Sequence, residues 1–387
     1  MVEKKLKNKN MKYRVRFVNP QKQYKDHKKE FLETVDDVFS RGDLIMRKDL
    51  EEFEKKIAKF VGVKYAIGVN SGTDALSLSM EAAGIKPGDE VIVPAHTFMA
   101  SISAICHQGA IPVLVDVGKD FNINPDLIEK AITPKTRAIE PVHLNGRCAD
   151  MEKIMEIAKR HNLLVIEDAA QALGAKFKMP DGKWKMAGSF GLAGCFSMYP
   201  FKTFGAFGDA GMVTTNDSEI ANNVRLLRYN GEDREDRKFY YHGYTALLDN
   251  VQAALLSVKF KYYKQWISRR REIAEIYKKG LENIPEIKLF HCEDKRFFDV
   301  YQNYVIRTEK RDKLAEFLEK KGVEIIISWS VPNYKQPVMQ PNTICLTETE
   351  KICKEVLSLP MYPELKNSEV EYVVKCIKNF YPTPILR

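Results

Sequence analysis

The sequence lacks the features that mark membrane-bound, secreted and zinc-binding proteins. No apolar run in the 387 residues reaches the roughly 20 residues that span a bilayer. The first ten residues, MVEKKLKNKN, contain no apolar stretch of the kind a secretory signal carries. The seven cysteines form no C-x-x-C pair and have no partner at zinc-finger spacing. We therefore expect a cytoplasmic protein with free thiols and no metal, the cysteines being Cys106, Cys148, Cys195, Cys292, Cys345, Cys353 and Cys376.

The sequence also lacks a broad excess of positive charge. The formal net charge is +9, but residues 1–16 alone contribute +6, so the remaining chain carries only +3. A basic terminus of this kind is typical of a solvated, poorly ordered arm. We expect no nucleic-acid and no membrane partner. A composition of 44% hydrophobic and 29% charged residues is that of a globular protein with a sizeable core.

From residue 65 onward, short apolar runs alternate with amphipathic stretches. This alternation predicts an α/β fold with a mostly parallel sheet. Two amphipathic helices are expected before it, over 22–60, with a break at 40–43. The predicted strands are 65–69, 90–94, 111–117, 137–143, 163–169, 194–200 and 210–216, and the predicted helices between them are 73–83, 97–106, 126–132, 150–160 and 217–228.

The last part of the chain predicts a smaller α+β domain. A long helix over 250–283 leads into it, and we place the boundary between a large domain, 17–255, and a small domain, 256–387. The residues before them, 1–16, are the basic arm. Within the small domain we expect strands at 300–308 and 323–328 and helices at 311–321, 347–357 and 367–380.

The segment LLVIEDAAQALGA brings Asp168 to the end of a predicted strand, followed three residues later by Gln171. Ligands of open α/β sheets bind at that edge. An acid at a strand end also caps the helix that follows, so the motif alone leaves both interpretations open.

A second segment, FSMYPFKTFGAFGDAGM, contains Ser197 and Lys202, followed by three glycines. A lysine among aromatic and small residues loses part of its proton affinity when it is buried, which suits an amine that forms a Schiff base. The alternative is that Lys202 lays its stem along Phe201 and Phe204 with its amine in water.

The third segment, VNSGTDALSL, is a small-residue turn between a predicted strand and a predicted helix. Backbone N–H groups at such a helix start bind phosphate. A simple helix cap by Ser71 or Thr73 has the same geometry. Together the three segments supply a phosphate site, an acid and an amine, which is the set that pyridoxal 5′-phosphate (PLP) requires.

These residues resemble the DegT/DnrJ/EryC1/StrS family of nucleotide-sugar aminotransferases. The resemblance rests on SGTDAL, PAHTF at 94–98, EDAAQALGA at 167–175 and the spacing from Ser197 to Lys202 before GDAG. It implies PLP fold type I, the aspartate-aminotransferase-like fold, with a mostly parallel seven-stranded sheet. It also implies a homodimer with its sites at the subunit interface.

The resemblance assigns roles to seven residues. Lys202 would form the Schiff base and move the proton, and Asp168 would pair with the pyridine nitrogen. Gln171 would meet the ring hydroxyl, and Phe98 would stack on the ring, although a lone phenylalanine is also typical of a core. The phosphate would be held by Gly72, Thr73 and Ser197.

The sequence departs from the family at Thr203, where Asn is common, at Ala210, where Gly is common, and in one further segment. Members carry an Asn, and two residues later an Arg, in a stretch that reaches the cofactor phosphate of the neighbouring subunit. This chain has Thr245 and Leu247 there. A threonine is shorter and a leucine brings no charge, so the cross-subunit contact is in question.

The resemblance implies a PLP-dependent aminotransferase that moves an amino group from L-glutamate to a 3-keto or 4-keto nucleotide-linked sugar. Such reactions serve amino-sugar biosynthesis and bacterial surface glycans such as lipopolysaccharide. Segments 229–244 and 325–334 would line the substrate cleft. The alternatives are a PLP fold type I enzyme with a different keto substrate, and a non-catalytic regulatory relative.

Overall fold

The computed structural model describes residues 13–289, 294–339 and 344–381. It begins with two helices, α1 (Pro20–Arg41) and α2 (Lys48–Val61). The Asn19 side chain accepts a hydrogen bond from the Lys22 N–H at the start of α1, and Gly42 ends the helix with a left-handed φ of 66°. These two helices match the two predicted over 22–60. Most of the predicted basic arm, residues 1–12, lies outside the described residues.

A seven-stranded sheet follows, and its strands match the seven predicted ones. They are β1 (Tyr65–Val69), β2 (Glu90–Pro94), β3 (Ile111–Val115), β4 (Thr136–Ile139), β5 (Leu164–Asp168), β8 (Ala193–Ser197) and β9 (Gly211–Thr215). Their order is β1-β9-β8-β5-β4-β2-β3. Only the pairs β1–β9 and β8–β9 are antiparallel. The expected α/β fold with a mostly parallel seven-stranded sheet is confirmed.

Three α-helices connect these strands, and a fourth follows the last one: α3 (Gly72–Ala82), α4 (Met99–His107), α5 (Met151–His161) and α6 (Ser218–Leu227). The helix predicted over 126–132 is wrong, because the chain there forms two short 3₁₀ turns, Pro125–Leu127 and Glu129–Ala131. The proline at position 134 disfavours helical backbone at the residue before it, so the segment cannot extend into a longer helix.

Successive side chains of the central strands enter two separate cores. On β5, Val165 belongs to one apolar cluster and Ile166 to the other. Ile139 and Ala138 of β4 divide in the same way. This alternation is what a sheet covered on both faces requires. The same alternation determines on which face of the sheet each polar residue at a strand end lies.

Helix α7 (Asn250–Leu281) runs along α1 and α2 and continues to the last helix, α10 (Asn367–Phe380). The C-terminal part adds α8 (Arg311–Lys320), α9 (Thr347–Glu355) and a small antiparallel sheet. Its strands are β12 (Lys288–Leu289), β14 (Tyr304–Arg307) and β15 (Val356–Leu359). The boundary between the two domains at 255/256 stays a prediction.

Two details of the C-terminal prediction are wrong. Residues 323–328 form no strand; Ile326 makes one isolated bridge to Ser358, and the chain then leaves the sheet. The helix predicted over 347–357 ends at Glu355, because its last residues begin β15. Valine and leucine there pair with β14 and are buried, and tertiary pairing overrides local helix preference.

Two small sheets had no prediction. One contains β6 (Lys176–Lys178), β7 (Trp184–Met186) and β13 (Phe297–Phe298), and the other pairs β10 (Glu232–Asp233) with β11 (Lys238–Phe239). Across the described ranges, none of the helices combines the length and apolar character that crossing a membrane needs. Six cysteines are free thiols, and Cys292 lies outside the described residues.

Candidate active site

Asp168 ends β5 and is buried, with only 5% of its surface exposed. Its Oδ2 accepts a hydrogen bond from the Ser101 hydroxyl at 2.8 Å, and its Oδ1 accepts one from the Ala170 N–H at 3.0 Å. The Ser101 hydroxyl in turn lies 2.9 Å from that of Thr97. These donors stabilise the ionised carboxylate and orient it.

The neighbouring residue, Glu167, lies on the opposite face of the strand. It accepts hydrogen bonds from the N–H groups of Gly188, Phe190 and Gly191 at 2.7 to 2.8 Å. A fourth comes from His143 Nε2 at 2.8 Å, while His143 Nδ1 accepts from the backbone N–H of Ala149. Because His143 N–H also donates to the carbonyl of Asp168, this network fixes the strand end that carries Asp168.

A third carboxyl group, Glu140, follows β4 and shares the face of Asp168, because the side chains of parallel strands alternate in step. Glu140 is fully buried, and neither carboxyl oxygen has a hydrogen-bond partner among the described residues. Burial raises the pKa of Glu140 well above its ordinary value, and the negative charge of Asp168 adds to the effect. Burial thus favours the protonated form of Glu140.

Lys202 lies in the irregular loop between β8 and β9. Its N–H donates to the Tyr199 carbonyl at 2.8 Å. Gly205 closes the loop, since a Cβ there would lie 2.5 Å from the carbonyl oxygen of Pro200. Burial lowers the pKa of Lys202, and the charge of Asp168 acts in the opposite direction. The amine is thus more available as a nucleophile than that of an exposed lysine.

Helix α3 begins beside Ser197 at Gly72. A Cβ at Gly72 would lie 2.6 Å from the Cβ of Ser197, so only glycine fits. Ser71 caps the helix, because its Oγ accepts from the Asp74 N–H at 3.0 Å. The predicted cap by Ser71 is therefore present, and it leaves the first N–H groups of α3 for another acceptor.

One cavity of about 520 Å³ brings these elements together. Its volume falls within the roughly 300–1,000 Å³ typical of small-molecule sites. Phe98 is 60% exposed at this cavity, so the alternative that it belongs to the core is wrong. Lys202 lines the same cavity, and its amine is buried, so it does not extend into bulk water along Phe201 and Phe204. All seven predicted site residues line it: Gly72, Thr73, Phe98, Asp168, Gln171, Ser197 and Lys202.

Sequence reasoning missed several residues around this cavity. Ser101 and Glu140 were read only as parts of a helix and a strand, and the amide of Gln302 was not considered. Trp329 lines the cavity, and it belongs to the segment 325–334 that was expected to line the substrate cleft. A polar residue inside an apolar strand, as in TRAIEPV, is the signal that would have identified Glu140.

The segment with the unusual Thr245 and Leu247 lies next to the turn between β1 and α3 of its own chain. The Asn70 N–H donates to the Ala246 carbonyl at 3.0 Å, and Leu247 pairs with Val69. The Thr245 hydroxyl is exposed and donates to Asn230 Oδ1 at 3.3 Å.

Comparison with known proteins gives the site a context. A model of the DegT/DnrJ/EryC1/StrS aminotransferase family matches residues 25–378. The chain is 42% identical to a pleiotropic regulatory protein of Geobacillus stearothermophilus, over 93% of this chain and 96% of that protein. It is 38% identical to dTDP-3-amino-3,4,6-trideoxy-alpha-D-glucose transaminase of Streptomyces venezuelae, over 95% of this chain and 96% of that enzyme.

A solved structure is also similar to this chain over nearly its whole length. The crystal structure of S. venezuelae DesV in complex with a ketimine intermediate superposes with a TM-score of 0.91 at 37% identity. The match covers 96% of this chain and 99% of that one. The expected fold is thereby confirmed.

Proposed function

The chain belongs to the DegT/DnrJ/EryC1/StrS aminotransferase family, and from this premise we propose that it moves an amino group from L-glutamate to a 3-keto or 4-keto nucleotide-linked sugar with PLP as cofactor. The observation that carries the proposal is the shared cavity: the seven residues to which the resemblance gives cofactor roles, Lys202 among them, line it together. We assign the product to amino-sugar biosynthesis.

The residues present fit the cofactor. Gly72 has no Cβ, and this lets the start of α3 approach Ser197 closely. Backbone amides at such a helix start can hold an anion. Ser197 Oγ accepts from the Tyr199 N–H at 3.3 Å, which leaves its own proton for a phosphate oxygen. Bound PLP would supply an aldehyde that takes up an amino group and a ring that withdraws electrons from it.

Lys202 and Asp168 have complementary tasks in this proposal. The lowered pKa of Lys202 favours the neutral form of its amine, which would attack a carbonyl and later move a proton from the α-carbon of the donor. The Asp168 carboxylate, held by Ser101, would accept the N–H of a protonated pyridine ring. Gln171 Oε1 is engaged by the Asn145 N–H at 2.7 Å, so its Nε2 is the donor for the ring hydroxyl.

The sugar assignment follows the relatives. The Streptomyces venezuelae relative is a transaminase for a dTDP-linked 3-amino sugar. In this chain, Trp329 and Phe98 at the cavity offer apolar surface for a sugar ring. Outside residues 1–16 the chain carries a net charge of +3, and this mildly basic balance suits a substrate with two phosphates.

A homodimer completes the proposal. Large aromatic side chains remain exposed at or beside the cavity: Phe98 at 60% and Tyr199 at 45% line it, and Phe201 at 48% precedes Lys202 in the chain. A cluster of this kind is typical of a surface that another subunit covers. Sedimentation should show a dimer at the concentrations used for assay, and an active monomer would contradict this part of the proposal.

A regulatory role is the second candidate, because one relative is called a pleiotropic regulatory protein. A protein that only regulates does not require an amine of lowered pKa beside a buried carboxylate, and this chain has both. A colourless protein that stays colourless with added PLP would favour the regulatory role.

The direct test is Lys202→Ala. We expect transamination to be abolished, since a primary amine is required, while folding stays intact because no core volume is lost. Wild-type protein with PLP should be yellow and should be bleached by borohydride, with the label on Lys202. Turnover by Lys202→Ala with glutamate and a panel of 3-keto and 4-keto nucleotide sugars would defeat the assignment.

A further inference from the structure

A short C-terminal segment, 299–303, holds two parts of the site in place. It lies between β13 and β14 and is anchored on helix α7, where Arg270 donates to the Tyr301 carbonyl at 3.0 Å and Arg271 to the Asp299 carbonyl at 2.8 Å. Its backbone also joins the loop after β4. Val300 N–H donates to the Gly146 carbonyl at 2.8 Å, and Gln302 N–H to the Asn145 carbonyl at 3.0 Å.

The backbone at this junction has little freedom. Tyr301 and Asn145 both have left-handed φ angles, of 52° and 57°. A Cβ at Gly146 would lie 2.7 Å from the Gln302 nitrogen. Residues with a left-handed backbone persist only where the surrounding structure holds them. The backbone of this junction is therefore fixed, and a side chain attached to it starts from a fixed position.

The Gln302 side chain extends from this junction to the lysine loop. Its Oε1 accepts a hydrogen bond from the Thr203 N–H at 2.6 Å, and its Nε2 donates one to the Phe201 carbonyl at 2.9 Å. The two peptide groups are those on either side of Lys202. Only a carboxamide presents one acceptor and one donor in this arrangement.

One other backbone contact reaches these two peptide groups, and the remaining contacts hold the loop elsewhere. The Lys202 N–H is bound to the Tyr199 carbonyl. The Thr203 hydroxyl lies 2.9 Å from the Tyr263 hydroxyl, and Lys259 Nζ donates to the Gly205 carbonyl at 2.6 Å. The loop has no regular structure between β8 and β9, so its backbone direction at Lys202 depends on side chains from elsewhere.

We propose that Gln302 is a positioning residue for Lys202: its carboxamide clamps the peptide groups on both sides of the lysine and so fixes the direction in which the amine enters the cavity. The inference rests on the role of Lys202 in the proposed function. An amine that serves first as a nucleophile and then as a proton carrier must keep one orientation through two steps, and small displacements are costly.

The clamp also connects two parts of the site. The Gln302 backbone binds the Asn145 carbonyl, and the Asn145 N–H binds Gln171 Oε1. A single residue thus links the loop that carries Lys202 to the side chain of Gln171. Displacement of segment 299–303 therefore acts on both.

The test compares Gln302→Met with the wild type. Methionine has a similar length and offers neither hydrogen bond. Hydrogen exchange of the protein without cofactor should show the Thr203 N–H exchanging at least about 10-fold faster. The kcat of amino transfer should fall by about 10- to 100-fold, with KM changed by less than about 3-fold. The midpoint of thermal unfolding should stay within about 4 °C.

Two further variants make the result decisive. Gln108→Met is the matched control, since Gln108 Nε2 also donates to a backbone carbonyl, of Ser77 at 3.2 Å, away from the lysine loop. We expect it to keep wild-type kcat. Gln302→Glu keeps the acceptor for Thr203 and loses the donor for Phe201, so its kcat should lie between wild type and Gln302→Met. If Gln302→Met does not fold, Gln302→Glu decides.

Wild-type kcat in Gln302→Met, or in Gln302→Glu where only that variant folds, overturns the proposal. Unchanged exchange at Thr203 in Gln302→Met overturns it as well. The exchange experiment needs no cofactor and is therefore independent of the proposed function. Absence of a reducible bond between wild-type protein and PLP would defeat the proposed function and leave the exchange result standing.

Discussion

The last two residues of β5 are both acids, and their side chains lie on opposite faces of the strand in different environments. Glu167 accepts four hydrogen bonds on one face and has no exposed surface. Asp168 on the other face accepts two and borders the cavity. The two acids are nearly equal in residue type and in burial, and they differ in the number of hydrogen bonds that they accept. Glu167 accepts four and stabilises the fold, whereas Asp168 accepts two and is available to a ligand.

Glu140 extends the contrast to the neighbouring strand. It shares the face of Asp168 and is as buried as Glu167, yet no described residue donates a hydrogen bond to it. The three acids thus form a series, from fully satisfied to half satisfied to unsatisfied. Each position predicts a different response to substitution.

The largest effect is expected for Asp168→Asn. The amide keeps an acceptor for Ser101 but no longer carries the charge that, in the proposed function, pairs with a protonated ring nitrogen. Amino transfer should fall by about 10²–10³-fold, because a preorganised charge at the reacting group is lost. The thermal midpoint should change by less than about 4 °C. Near-wild-type activity would remove Asp168 from the chemistry and with it the contrast between the two faces.

Glu167→Gln should have the opposite profile. Its new amide group would face N–H donors on Gly188 or Phe190 and leave buried polar groups unpaired. The free energy of unfolding should fall by about 3 kcal/mol, measured by urea denaturation. Glu152→Gln is the control, since Glu152 pairs with Arg296 in a partly exposed ion pair and should cost less than about 1 kcal/mol. Equal losses in both variants would contradict the comparison.

Glu140→Leu should raise stability, by about 1–3 kcal/mol at neutral pH, because an unsatisfied buried acid is removed. The pKa of Glu140 is higher in the folded protein than in the unfolded chain. The unfolded chain therefore loses this proton first, and stability falls as pH rises above about 4.3 towards the folded pKa, by at most about 1.4 kcal/mol per pH unit. The gain from leucine should grow over the same interval.

Glu140→Gln separates the two contributions to this effect. Glutamine does not titrate but is still a buried polar group. The part of the pH dependence that comes from residue 140 should therefore disappear, while the gain in stability stays small. Urea denaturation at several pH values between about 5 and 9 measures both variants. A pH dependence identical to that of the wild type would show that Glu140 is not the titrating group.

Local patterns in the sequence predicted the seven strands and several of the polar residues at their ends, and the family resemblance supplied the set of seven residues at the cavity. Asp168 ends an apolar strand, and Gly72 lies between a strand and a capped helix. Ligands of α/β sheets gather at that edge, so local patterns were sufficient to bring these residues together.

The supporting contacts were not predictable in this way. Ser101 and Asp168 are 67 residues apart, and Thr203 and Gln302 are 99 apart. No periodicity relates such pairs, and only the packed fold defines them. The errors at 126–132 and 347–357 have a similar origin, because a proline and a strand partner decided the backbone there.

The order of the sheet also has a consequence for synthesis on the ribosome. Within the sheet, strand β1 lies next to β9, whose first residue is made about 140 residues later. At roughly 5–20 residues per second, a nascent chain waits roughly 7–28 s before its first strand finds this neighbour. Because β9 lies between β1 and β8, it is the strand that joins the turn at 70–73 through the sheet to the strand ending at Ser197, so this end of the cavity is completed after the parallel strands are made.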